Sequence, residues 1–228
     1  MRVRRARAPH IEPEAVVRAA LEILDAEGLE HITLRKISSR IGVQAPALYW
    51  HFRDKQDITD DMAQAILVQG GVEDIKPPRD PTAWAEWLVE TAQVVRRAMV
   101  SHRDGGRVVA GASFRARTLE KVVMLTINVL NNAGFDLLHA SLAAATTIDY
   151  VWGYVIEEQA GSGAEPQDAA LQGEEAASHF ELDPLLEAIM KETAQLTATA
   201  KFDWGLRIIV SGLKSALADS TNKIKTKP

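Results

Sequence analysis

Apolar residues recur along almost the whole chain at three- and four-residue spacing, the periodicity of helices that bury one face. Between Pro13 and Glu27 they fall at Val16 and Val17, Ala20 and Leu21, and Leu24. Pro13 stands where a first-turn proline is tolerated, Glu12 and Glu14 suit the positive N-terminal end, and Gly28 is a natural stop. A second, short helix covers LRKISSRI, with Thr33 as its N-cap, Leu34, Ile37 and Ile41 inward, and Gly42 ending it. The spacing predicts a third from Ala45 to Trp50, with Pro46 in its first turn. Asp54 caps a fourth that reaches Gln69, where Gly70 and Gly71 break it.

IKPPRDP (75–81) reads as a linker, because consecutive prolines cannot continue a helix. Amphipathic segments follow at about 81–102, 115–133, 136–160, 184–197 and 201–218. The small, polar, acidic stretch GSGAEPQDAALQGEEAA (161–177) reads as a mobile loop, and the tail STNKIKTKP as a frayed end. No segment alternates with period two, none repeats, and no heptad run is long enough for an extended coiled coil. The predicted fold is all-α.

Composition leaves that picture intact and narrows the chemistry. With 228 residues, 46% of them apolar and 25% charged, the chain can bury a real core. The length fits a small module joined to a larger one, or one large helical domain. There is no cysteine, which excludes disulfides and thiolate metal sites. The basic start MRVRRARAPH is followed by no apolar run, and no stretch approaches the roughly 18 to 20 apolar residues of a membrane span. The expectation is a soluble, cytoplasmic protein.

The net charge of −5 argues at first against nucleic acid. Its distribution argues the other way. Residues 1–55 carry ten Lys and Arg against seven acids, so the rest of the chain is strongly acidic. Phosphate contacts depend on local charge, so the pattern suits a small basic DNA module on an acidic body.

The block ITLRKISSRIGVQAPALYWHFRDKQDI (32–58) places two short helices on either side of Gly42, the layout of a helix-turn-helix. The second of the two would offer Gln44, Ala45, Pro46 and Ala47 to the major groove. Arg35 and Lys55 flank it, positioned for phosphate, and a guanidinium at Arg35 also matches the O6 and N7 of guanine. Tyr49 and His51 can donate to phosphate oxygens. The arm at residues 1–11 reads as a disordered terminus with nonspecific phosphate affinity, with contact to a flanking groove as the alternative.

Thr33-x-Arg35, Gly42-Val43 and LYWHF-x-x-K, arriving together after an amphipathic first helix, resemble the tetracycline-repressor family of regulators. Thr33, Gly42, Tyr49, Trp50 and Lys55 are its scaffold positions. The resemblance continues through SHRDGGRVVAG (101–111), NNAGF (131–135), YVWGYVIEEQ (150–159) and KFDWGLRIIVSGLKSAL (201–217). It implies a DNA-binding domain at 12–57, a helical ligand-binding and dimerisation domain at 58–228, and a homodimer joined through a four-helix bundle. Gly205, Ser211, Gly212 and Ser215 on the last helix, with Ala140, Ala143 and Ala144 on an earlier one, are small residues that suit close helix contact.

Two departures stand out. Ala45-Pro46-Ala47 replaces the Gln-Pro-Thr of the tetracycline repressors, so the chain should read a different operator through Arg35, Gln44 and methyl contacts. The histidine by which those repressors hold tetracycline with magnesium is replaced by Val109, which cannot ligate a metal. Their fourth-helix histidine falls near Gly71 and their fifth-helix asparagine near Thr91, while the acidic position of the eighth helix is kept as Glu157. No metal or cofactor is therefore expected.

The resemblance places Val95, Val109, Phe114, Val122, Leu125, Trp152 and Ile156 around an apolar cavity, with Asp149 and Glu157 to orient a cationic or hydroxylated ligand. The same residues at helical spacing also suit an ordinary core and a solvated face. An enzyme is not expected, since no nucleophile elbow, phosphate-cradling glycine loop or zinc-binding His-Glu-x-x-His occurs. The expected partners are duplex DNA, a small-molecule effector and a second copy of the chain, with no membrane. The alternative is a helical adaptor that keeps the module and binds protein.

Overall fold

A computed structural model describes residues 12–49, 52–113, 116–162 and 183–225. The stretch 163–182, within which most of the expected mobile loop lies, and the arm before Glu12 are outside the described residues. Those described contain helices and no strand. They fall into two compact units: the chain up to Ile75 with Arg97–Val122, and Lys76–Arg96 with the chain from Val123 onward.

The first unit begins with α1 (Pro13–Glu27), α2 (Leu34–Ile41), α3 (Ala45–Leu48) and α4 (Lys55–Gln69). Local chemistry sets their limits. Thr33 Oγ1 accepts the Lys36 N–H at 3.2 Å to start α2. Gly42, at φ 72 and ψ 28, ends it in the left-handed region, and the Val43 N–H returns to the Ser38 carbonyl at 3.0 Å. Asp54 Oδ1 accepts the Asp57 N–H at 3.0 Å to start α4. Val16, Ala20, Leu24, Ile37, Leu48, Phe52, Ile58 and Met62 form the core between these helices.

The same unit contains α6 (Gly105–Ala110), the end of α5 (Trp84–Val100) and the beginning of α7 (Arg117–Asn132). Gly70 meets α5 so closely that a Cβ there would lie 2.2 Å from Ala98 Cβ. α6 packs along α4 with Val108 and Val109 fully buried. Its sequence, GGRVVA, did not announce a helix, since two glycines weaken any local preference; burial of the two valines overrides it.

The second unit is built on α8 (Leu137–Ser162) and α10 (Ala198–Lys225), with α9 (Pro184–Thr193) and the first part of α5. Tyr150 and Tyr154 of α8 pack on Phe202 of α10, with centroids 5.4 and 5.2 Å apart. Their hydroxyls donate to the carbonyls of Phe202 and Ala198 at 2.8 and 2.6 Å. Burial pushes both phenols above their ordinary pKa. Arg96 is 7% exposed, lies over the Phe202 ring at 5.3 Å, and is held by both carboxylate oxygens of Glu158 at 2.9 and 2.5 Å.

Several element limits differ from the sequence reading. α3 stops at Leu48, α9 ends at Thr193, and α10 runs to Lys225 where a frayed tail was expected. The small residues behave differently from expectation as well. Ala140, Ala143 and Ala144 are buried within the unit, and a Cβ on Gly205 would lie 2.4 Å from the Tyr150 hydroxyl oxygen. Their smallness serves packing inside one chain. Ser211, Gly212 and Ser215 remain exposed. No helix among the described residues is long and apolar enough to cross a membrane.

Candidate nucleic-acid interface

The turn at Gly42 sets α3 against α2 and leaves a continuous face outward. Gln44, the N-cap of α3, is extended at φ −79 and ψ 135, and Pro46 lies in the first turn. Leu48, fully buried, anchors α3 to the core of the unit. Gln44 and Pro46 are exposed, Ala45 and Ala47 half-buried, and Tyr49 is 60% exposed. Thr33, Arg35 and Lys55 are exposed beside them. Trp50 and His51 lie outside the described residues.

Not every cation of the module faces outward uncommitted. Lys36 pairs with Glu27 of α1, and Arg40 Nε donates to Glu22 at 2.9 Å. The Lys36 hydrogen bond holds the Glu27 carboxyl below its ordinary range. These pairs brace α2 against α1 and leave Arg35 and Lys55 exposed beside the recognition face. Sequence reasoning missed both pairs, because separations of 9 and 18 residues across a helix break give no local signal.

A second arrangement went unread. Three polar side chains on one face of α4, at i, i+4 and i+8, bind the segment that follows α6. Asp60, 4% exposed, accepts the Ser113 N–H at 2.8 Å, the Ser113 hydroxyl at 2.5 Å and the Gln56 amide at 2.8 Å. Gln56 Nε2 also donates to the Gly111 carbonyl at 2.9 Å. Gln64 exchanges two hydrogen bonds of 2.8 Å with Thr118, donating to its hydroxyl and accepting from its N–H. A buried aspartate on an amphipathic helix was the available clue.

The residues expected around a ligand divide between the units. Val109 on α6 and Val122 on α7 are buried in the first. Val95, Leu125, Trp152 and Ile156 belong to the second and are half-buried. Asp149 and Glu157 are exposed on α8, and the α8 acid that binds Arg96 inside that unit is Glu158. Phe114 lies outside the described residues.

A three-helix module with an outward recognition face and a glycine turn defines a helix-turn-helix transcription regulator. Residues 16–62 match the model of bacterial regulatory proteins of the tetR family, and residues 77–217 match the tetracyclin repressor-like C-terminal domain. The chain belongs to the tetracycline-repressor family. It is 36% identical to the tetracycline repressor protein class A from transposon 1721 of Escherichia coli, over 89% of this chain and 90% of that one. Among solved structures it resembles a possible TetR family transcriptional regulator from Streptomyces coelicolor A3(2). There the TM-score is 0.77 and the identity 32%, covering 90% of this chain and all of the other. It also resembles class A TetR in complex with 5a,6-anhydrotetracycline and magnesium, with a TM-score of 0.65 and 30% identity over 90% and 99% of the two chains.

The residues here do not fit a magnesium site of that kind in the α6 segment. Val109, Ala110, Gly111 and Ala112 carry no side-chain oxygen, and the Ser113 hydroxyl is bonded to Asp60. Among the described residues, no three His, Asp or Glu side chains are grouped to hold a metal ion.

Proposed function

We propose that the chain is a homodimeric, ligand-responsive repressor. It binds a palindromic operator and is released by a small apolar or amphipathic molecule. The observation that carries this reading is the α4 ladder. The helix that closes the DNA-binding module is the same one whose Gln56, Asp60 and Gln64 bind Gly111, Ser113 and Thr118. A shift of that segment moves α4, and a shift of α4 moves the recognition helix.

Two recognition helices in a dimer must sit about 34–36 Å apart to enter successive major grooves. An effector that favours a different separation lowers operator affinity, by no more than its own preference for that state. Arg35 and Gln44 would read base edges and Lys55, Thr33 and Tyr49 would hold phosphate, while Ala45, Pro46 and Ala47 offer only apolar contact. In the second unit, Val95, Leu125, Trp152 and Ile156 would supply an apolar lining, with Asp149 and Glu157 as its acids. The valine at 109 disfavours tetracycline bound through magnesium. Such a protein works in the cytoplasm, where its operator is.

Duplex binding upstream of the chain's own gene, measured with and without tetracycline and Mg²⁺, tests this. A retarded complex that survives tetracycline is expected. Release by tetracycline would overturn the effector assignment, and failure on every genomic fragment would overturn the regulator.

A further inference from the structure

The turn at 102–104, just before α6, grips the C-terminal end of α1. Asp25, in the last turn of α1, accepts the Arg103 N–H at 3.1 Å, and both its oxygens face His102 Nδ1 at 3.1 and 3.0 Å. The Arg103 guanidinium donates to the Ala26 carbonyl at 3.4 Å. Asp104 accepts the Leu29 N–H at 2.8 Å. Arg107 extends the arrangement by pairing with Glu30 at 2.6 Å, which holds that carboxyl below its ordinary range. On its other side His102 Nε2 lies 3.4 Å from Gln69 Oε1 at the end of α4.

The backbone is distorted to make this grip. Asp104 has φ 54, the one positive φ at a non-glycine residue among those described. Such conformations persist where the surroundings over-determine them, and they concentrate at switching and binding sites. Opposite it, Gly28 has φ 93, and a Cβ there would lie 3.1 Å from Asp104 Oδ2 and 3.3 Å from Arg103 Nε. A side chain at 28 would strain the backbone and crowd the Asp104 carboxylate and the Arg103 guanidinium.

We infer that Asp25, His102, Arg103 and Asp104 form a clasp that fixes the orientation of the DNA-binding module. It is a second attachment beside α4. A module held only through α4 can swing about that helix, whereas one held at α1 as well has its orientation set by the start of α6. These are positioning residues: none belongs to the recognition face. The inference rests on the regulator reading above and deepens it. A clasp whose loss leaves the module competent in about a tenth of molecules weakens specific binding about tenfold. Nonspecific binding, which needs only charge, is left alone.

The test compares full-length wild type, Asp25→Ala/Asp104→Gly and Asp25→Asn on two duplexes. One is selected by the wild type from random DNA, and the other is unrelated in sequence. Glycine accepts φ 54 without strain, so the double variant removes the carboxylates while relaxing the backbone. Asparagine keeps an oxygen for the Arg103 N–H and an amide that can still hydrogen-bond the His102 ring. The clasp predicts selected-duplex affinity about tenfold weaker in the double variant and restored in Asp25→Asn, with unrelated-duplex affinity unchanged. Unchanged selected-duplex affinity overturns the clasp. So does equal weakening on both duplexes, or an Asp25→Asn variant as weak as the double one. A wild type that selects no sequence at all overturns the regulator reading, and the clasp with it.

Discussion

Gly42 and Gly70 lack a side chain for different reasons, and the difference has measurable size. At Gly42 the space around an added Cβ is open, so only the left-handed backbone at φ 72 opposes a larger residue. Gly42→Ala should therefore cost about 1 kcal/mol. At Gly70 a Cβ would stand 2.2 Å from Ala98 Cβ and 2.7 Å from Ala98 Cα, part of which is backbone that cannot swing aside. Gly70→Ala should cost more, about 1–3 kcal/mol of overpacking. Denaturant melts of the two variants rank them; a costlier Gly42→Ala would mean that the α4–α5 approach is looser than described.

Asp136 gives a pH-dependent test at the same scale. It caps α8, accepting the His139 N–H at 2.9 Å and facing His139 Nδ1 at 2.6 Å, and its carboxyl is lowered by the backbone and then the side-chain bond to His139. A depressed folded value means that its stabilisation is complete above the unfolded carboxylate value and is lost as pH falls through the folded one. The melting-temperature gap between wild type and Asp136→Ala should thus be open above about pH 5 and narrow below about pH 4. A gap that widens in acid would refute the sign.

Among the elements, α4 carries most of the functional argument. Asp60→Ala leaves the Ser113 N–H, the Ser113 hydroxyl and one Gln56 bond without their acceptor in a buried place, which should cost about 2–3 kcal/mol. Calorimetry would show it, and Asp60→Asn, which keeps one acceptor oxygen, should lose less. A neutral Asp60→Ala would remove the ladder as a structural link.

What the sequence disclosed follows the range of the interactions. The limits of α1, α2 and α4 were readable because Gly28, Thr33, Gly42 and Asp54 act within four residues of themselves. α6 was hidden because its helix depends on what Val108 and Val109 pack against. The Glu22–Arg40 pair, the α4 ladder and the α1 clasp all join residues far apart in the chain, and no periodicity encodes them. The assignment of Ala140, Ala143 and Ala144 to a subunit contact failed for a related reason. Small residues mark close packing without saying whether the neighbour belongs to the same chain.

For the whole molecule, the exposed apolar side chains point to where a second copy would sit. Leu138 and Leu142 on α8 are 64% and 55% exposed, and Trp204 and Ile208 on α10 are 70% and 53% exposed. Their spacings of four keep each pair on one helix face, which suits the two helices of a four-helix bundle. Aromatic anchors commonly dominate such contacts, so Trp204→Glu should convert the proposed dimer to monomer in sedimentation and weaken operator binding with it. A dimer that survives would place the interface elsewhere.

The central claim, a sequence-reading face at α2 and α3, is tested most directly by selecting bound duplexes from a random pool with the full chain. The account predicts a two-fold pair of half-sites with centres about one helical turn apart. Gln44→Ala should relax preference at one position, while Lys55→Ala weakens all sequences alike. A pool that shows no enrichment, or enrichment that Gln44→Ala and Arg35→Ala leave untouched, would contradict it.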